Sequence, residues 1–271
     1  MPGYSEGDGR KNLFRSRDVG LVHFVSCNTE VYFNCTGNGN GEVGVRTQHA
    51  WMKADLKAAS DPAQRKRVPW IVAFGHRPMY CNVATVNDTC DGEQEQEQEQ
   101  EQSRNVGQGG PGTTSGTGVP GDTMFAVEDL LHDYGVDVAL YGHVLDYARF
   151  WPSYNNTVVN STGRKGGSIT AGEYKEPAAT AHFTIGGAGN GEMSAMPVGS
   201  AKFDGNLRSS PWSAMESGPY GSCSDMNFGK ATAFNSTHLY YEQYSVTARK
   251  AVDSEWIVQN EHGPFKTPRP T

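Results

Sequence analysis

The chain has 271 residues, room for a full hydrophobic core, with 23 Lys and Arg against 30 Asp and Glu and a formal charge of -7. Six of the acids lie between residues 91 and 102, and removing them leaves 24 acids against 23 bases, so the remainder has no basic excess of the kind that binds nucleic acid. No apolar run approaches the ~18 residues that cross a bilayer, and the 33 glycines point to many loops and tight turns.

The opening segment, Met1 to Arg10, lacks an apolar h-region, so no signal peptide is expected in the chain as given. The body reads differently. Sequons stand at Asn34, Asn87, Asn155, Asn160 and Asn235. Cys81 and Cys90 bracket a short loop, which suits a local disulfide in an oxidising compartment or two free thiols. Cys27, Cys35 and Cys223 leave an odd count, so at least one thiol is unpaired or paired between chains.

Leu21 to Ser26 is a short apolar, β-branched run that predicts a buried strand. Val45 to Ser60 brings Val45, Trp51, Met52, Leu56 and Ala59 near one helical face, with a turn expected at Asp61-Pro62. Trp70 to Phe74 predicts a second strand that stops at Gly75-His76. Residues 91–121 alternate Glu and Gln and then turn to Gly, Thr, Ser and Pro, a composition too polar to offset its ordering entropy and read as a disordered insertion.

A helix is predicted from Asp122 as N-cap through Phe125, Val127, Leu130 and Leu131, closing at Gly135. Val136 to Tyr141 predicts a third strand ending at Gly142-His143, and Ala181 to Ile185 a fourth, running into a glycine-rich turn. Leu239 to Tyr244 and Glu255 to Val258 predict a final antiparallel hairpin. Strands alternating with helices make the fold α/β around a partly parallel, covered sheet.

In such sheets ligands gather where strands release the chain at their carboxyl ends. Phe74-Gly75-His76 and Tyr141-Gly142-His143 end two strands alike, with glycine allowing a sharp turn and histidine projecting beyond it. Neutral imidazole is the commonest transition-metal ligand, so His76 and His143 are candidate partners in one metal site. His23 and His182 lie inside apolar strands and are expected to be packed with satisfied nitrogens. His49, His132, His238 and His262 have no metal-binding spacing.

With these segments in view, the sequence resembles the purple acid phosphatases of the metallophosphoesterase superfamily, the animal-type branch in particular. Trp70 to Cys81 resembles the fourth metal-binding segment of that family, and Val138 to Asn155 the fifth, whose usual form is Gly-His-x-His followed by Tyr-Glu-Arg. Val22 to Ser26 with Thr29-Glu30, Ala181 to Gly186 with Gly189 to Glu192, and His238 to Gln243 with Trp256 and His262 to Phe265 match in the same order.

The resemblance implies a four-layer sandwich of mixed sheets, incomplete at its N-terminal side. Residues 1–271 would form a partial phosphatase domain, with the insertion at about 91–121 and a family-specific hairpin at about 228–265. It also implies hydrolysis of phosphate monoesters at acidic pH by Fe(III) beside a divalent Zn, Mn or Fe, two cations that clamp the phosphoryl group and supply the nucleophile. His76 and His143 match the two histidines on the divalent metal. A secreted or lysosomal location follows from the family and the sequons, and neither nucleic acid nor a membrane span is implied.

Two departures limit this. Leu145 occupies the second histidine of Gly-His-x-His, the ferric ligand, and cannot coordinate; Asp146 carries a carboxylate one position along, where a one-residue shift re-aims the side chain. Ala148 replaces the Glu of Tyr-Glu-Arg, while Tyr147 and Arg149 remain. Gly-Asp-x-Gly, Gly-Asp-x-x-Tyr and Gly-Asn-His-Glu, which would carry the other ligands, are absent, and Met1-Pro2-Gly3 resembles an internal segment of relatives. Two imidazoles should hold metal loosely. The chain as given is therefore expected to show weak phosphatase activity or none, the alternative being a non-catalytic secreted glycoprotein that keeps the fold as a binding surface.

Overall fold

The structure, a computed structural model, is described for residues 13–29, 41–80, 127–143, 147–154, 157–159, 167–188, 213–215 and 226–265, with backbone alone at 41–45 and 213–215. Seven strands form the larger sheet: β1 (Arg15–Val19), β2 (Val22–Ser26), β3 (Trp70–Gly75), β4 (Val138–Tyr141), β5 (Tyr147–Phe150), β10 (Ala181–Ile185) and β11 (Ser213–Met215). Their order is β1-β2-β3-β4-β10-β5-β11. The four strands from β2 to β10 run parallel, and β1, β5 and β11 pair antiparallel at the flanks.

A second sheet orders β12 (Asn227–Ala233), β13 (His238–Ser245), β14 (Lys250–Val258), β9 (Glu173–Lys175) and β8 (Ser168–Thr170). The predicted terminal hairpin is its centre, with β13 antiparallel to β14 and Leu239 opposite Ile257. A two-stranded ribbon joins β6 (Ser153–Tyr154) to β7 (Thr157–Val158).

Side chains alternate across a strand, so each parallel strand feeds two cores. Ile71 and Ala73 of β3, with Ala139 and Tyr141 of β4, face the helices and pack with Met52, Leu56, Leu130 and Leu131. Trp70 and Val72, with Val138 and Phe183, face the second sheet and pack with Tyr174, Leu239, Tyr241 and Ile257. Both faces are covered, which is why these strands read as unbroken apolar runs. The described residues thus stack as helices, sheet and sheet, a mixed α/β arrangement of several mixed sheets.

Helix α1 (Gly41–Ala59) buries Met52, Leu56 and Ala59 as expected. The expected turn at Asp61-Pro62 is instead the start of helix α2 (Pro62–Arg67). Asp61 Oδ1 accepts the Ala63 N–H at 2.8 Å, and proline at the first helical position loses no hydrogen bond. Helix α3 (Val127–Asp133) closes at Gly135, whose φ of 63° and 3.2 Å bond to the His132 carbonyl form the expected left-handed cap. Asp122 and Phe125 lie outside the described residues, as does the 91–121 insertion.

At the amino ends of β3 and β4, Arg65 Nη1 donates to Asp137 Oδ2 at 2.8 Å. Asp137 also accepts the Ile71 N–H and the Gln259 side-chain amide. Burial pushes its carboxyl up, but Arg65, His262 and the Ile71 N–H outweigh burial and hold it below the usual range. This cluster pins the start of β3 to the entry of β4.

Candidate metal-binding site

β3 and β4 are adjacent and parallel, with Gly75 opposite Tyr141, so both release the chain at the same edge. The Gly142 N–H donates to the His76 carbonyl at 2.9 Å, tying the two exits together. His143 has a φ of 64°, a left-handed conformation that costs a non-glycine residue about 1–2 kcal/mol. There, His143 Nδ1 stands 3.1 Å from His76 Nε2, with ring centroids 4.9 Å apart and planes at 74°.

Two nitrogens bound to one zinc ion at ~2.0–2.1 Å stand about 3.3 Å apart at a tetrahedral angle. The observed 3.1 Å fits that bite, so the pair can serve as two ligands of one divalent cation. Among the described residues, no group of three or more His, Cys, Asp and Glu side chains converges for a metal. The pair fits half of a metal site. His76 is exposed and His143 half-buried, so the edge is open to a small ion.

The turn carrying His76 is held from β2. The Arg77 N–H donates to Thr29 Oγ1 at 2.6 Å, and Thr29 Cγ2 lies 2.6 Å from where a Cβ on Gly75 would stand. Glycine at 75 is therefore a packing requirement as well as a turn residue. In the sequence Thr29 stands out only as a matching residue, because this grip joins segments far apart in the chain.

Leu145 and Asp146 lie outside the described residues, as do Cys81, Cys90, Asn34, Asn87, Asn155 and Asn160. Asn235 is exposed in the β12–β13 turn, its Oδ1 accepting from the Thr237 N–H and hydroxyl and the His238 N–H. Cys27 is a buried free thiol, pushed up to about 12 by burial and so held protonated.

Elsewhere the histidines divide. His23 is satisfied as expected, with Nδ1 2.6 Å from Asp18 and Nε2 3.0 Å from Asp55. His182 departs from expectation: it is fully buried against Tyr80 and Tyr141, pushed down to about 3 by burial, and neither ring nitrogen makes a well-formed hydrogen bond. It sits where β10 faces the helix core, and the backbone of Ser153 is the polar group that acts on it. His132 stacks on Tyr154, His238 bonds Thr237, and His262 bonds the Ser236 carbonyl and meets Trp70 edge-on.

Tyr147 and Arg149, retained from the fifth segment, face the inter-sheet core. The Tyr147 hydroxyl donates to Asp253 at 2.6 Å, and burial pushes it well above the ordinary phenol range. Arg149 donates to Asp253, to the Tyr174 hydroxyl at 2.7 Å and to Glu255 at 2.5 Å. The sequence reading missed this network. Its signal was the two-residue spacing of Tyr147 and Arg149 and of Asp253 and Glu255, which sets each pair on one face of its strand.

Residues 179–254 match a family profile described as iron/zinc purple acid phosphatase-like protein C. The chain is 33% identical over 266 residues to acid phosphatase type 7 of Danio rerio, covering 97% of this chain and 50% of that protein. With acid phosphatase type 7 of Homo sapiens it shares 32% over 260 residues, covering 96% of this chain and 48% of the other. It therefore spans about half the length of these relatives. A purple acid phosphatase from yellow lupin seeds superposes with a TM-score of 0.55 over 94% of this chain and 34% of that one, at 22% identity, a likeness of fold.

Proposed function

Because the chain belongs to the purple acid phosphatase family, we propose that it contributes the divalent-metal histidine pair to a centre that hydrolyses phosphate monoesters. What supports this reading is the 3.1 Å approach of His143 Nδ1 to His76 Nε2 at neighbouring strand ends. When bound, a divalent ion of Zn, Mn or Fe beside Fe(III) supplies charge to clamp the phosphoryl group and to activate the nucleophile. The chain's own residues orient rather than react. His76 and His143 present two nitrogens at ligand spacing, Gly142 and Thr29 fix the turns beneath them, and the Arg149 network keeps the two sheets in register behind them.

Two imidazoles alone hold a divalent ion weakly, since catalytic zinc usually takes three protein ligands. The sequence carries Leu145 at the ferric-ligand position and lacks the three motifs that would supply the other ligands, so the 271-residue chain by itself should turn over substrate weakly or not at all. The test is metal content and turnover of an aryl phosphate at acidic pH, measured on one sample of this chain and on one of the longest reading frame of its gene. Metal and turnover in the longer product support the proposal. Robust turnover by this chain, with two tightly held ions, contradicts the ligand count.

A second reading is favoured by Leu145 and by Ala148, the latter buried where a carboxylate is usual. On that reading the protein is a non-catalytic glycoprotein that retains the fold to bind a partner. Absence of both metal and turnover in the longer product would select it. Export to a secreted or lysosomal compartment, a Cys81–Cys90 disulfide, and glycans at Asn34, Asn87, Asn155, Asn160 and Asn235 belong to either version.

A further inference from the structure

We infer that Thr29 is the positioning residue of the histidine pair, an inference that rests on the pair acting as a divalent-metal site. Thr29 stands just past β2 and is buried. One side chain grips both neighbours of His76. Its hydroxyl accepts the Arg77 N–H at 2.6 Å, and its methyl closes over Gly75 so tightly that a Cβ there would lie 2.6 Å away.

Thr29 is itself anchored. The Cys27 N–H donates to the Phe74 carbonyl at 3.0 Å, extending the β2–β3 ladder to the turn. Gln48 of α1 then holds Asn28 at both backbone groups, accepting its N–H at 2.7 Å and donating to its carbonyl at 3.1 Å. From Thr29 the restraint passes onward: His76 is fixed between Gly75 and Arg77, its carbonyl accepts the Gly142 N–H, and His143 follows directly. Three adjacent strand ends are thus linked by backbone contacts that begin at one hydroxyl. Groups that orient ligands in this way commonly set metal affinity without touching the metal.

The test compares the 271-residue chain with Thr29→Val, which keeps the bulk and loses the acceptor, and Thr29→Ser, which keeps the acceptor. Zinc chloride alone is titrated calorimetrically into each, and imidazole 15N spectra are recorded without metal. The expected result is a loss of about tenfold in zinc affinity for the valine variant, recovery in the serine variant, and movement of the His76 and His143 ring resonances in the valine variant alone. Thr29→Ala takes the place of the valine variant if circular dichroism shows that variant unfolded. Unchanged affinity and unchanged ring resonances overturn the role of Thr29 and leave the metal reading standing. If the unmodified chain takes up no measurable zinc, the metal-free spectra decide for or against Thr29: movement of both ring resonances in the valine variant supports its role, and unchanged resonances overturn it.

Discussion

Arg149 and Asp253 join the two sheets across 104 residues of sequence, Nε donating to Oδ2 at 2.7 Å and Nη2 to Oδ1 at 3.2 Å. Arg149 is buried and Asp253 largely so, and Tyr147 donates to the same carboxylate. Removing one partner of a buried pair strands the other charge, at about 3–5 kcal/mol. Arg149→Met should therefore lower unfolding free energy by that order in urea, leaving Asp253 and Glu255 without a cation. A loss under about 1 kcal/mol would show the network to be dispensable.

Glu255 makes the same network sensitive to pH. It is fully buried, and burial pushes its carboxyl up to about 7 although Arg149 and the Gly172 N–H pull it down. The folded value lies above the ordinary 4.5, so the folded state binds more protons. The associated stability is present below the unfolded value and is lost as pH rises through about 7. Thermal melts should show the Tm of the wild type falling relative to that of Glu255→Gln between pH 5 and 8, by a few degrees. Parallel pH profiles for the two proteins would refute this.

His23 works in the same direction at the sheet edge. Burial lowers its pKa, but hydrogen bonds and charge from Asp55 and Asp18 outweigh burial and raise it above the ordinary 6.5. The bridge from β1 to α1 is therefore complete below 6.5 and weakens as pH climbs through the raised value. His23→Gln should cost about 1.5–3 kcal/mol at pH 5 and clearly less at pH 9. Equal losses at both values would mean that shape, not charge, holds the edge strand.

Gly135 has no room for a side chain. A Cβ there would sit 1.9 Å from the Gly263 carbonyl oxygen, at a φ of 63°. Gly135→Ala should destabilise by at least about 2 kcal/mol and detach the Phe265 contact with His132. Loss of the near-ultraviolet signal from that region would report the detachment, and an unchanged denaturation midpoint would rule the clash out.

What the sequence disclosed follows burial. β3 and β10 are buried over most of their length, so Trp70-Ile-Val-Ala and Ala181-His-Phe-Thr stand out as apolar runs. β13 alternates half-buried and buried residues throughout, a period-two signal that reads directly. β1 is exposed at most positions and reads Arg-Ser-Arg-Asp-Val, so it exists through its pairing with β2 and has no apolar pattern to betray it. β8 and β9 span three residues each, too short for any period to register. At the candidate site the repeated Gly-His at strand ends was legible. The left-handed backbone of His143 and the grip of Thr29 on Gly75 were not, because each depends on contacts between segments far apart in sequence.

A shared cation between His76 and His143 is tested most directly by a zinc titration of the 271-residue chain followed by 15N imidazole resonances, repeated with His76→Ala and His143→Ala. Both rings should respond together, saturate at one ion per chain, and lose the response when either histidine is removed. Rings that respond separately, or a variant that binds zinc as well as the parent, would contradict a shared cation.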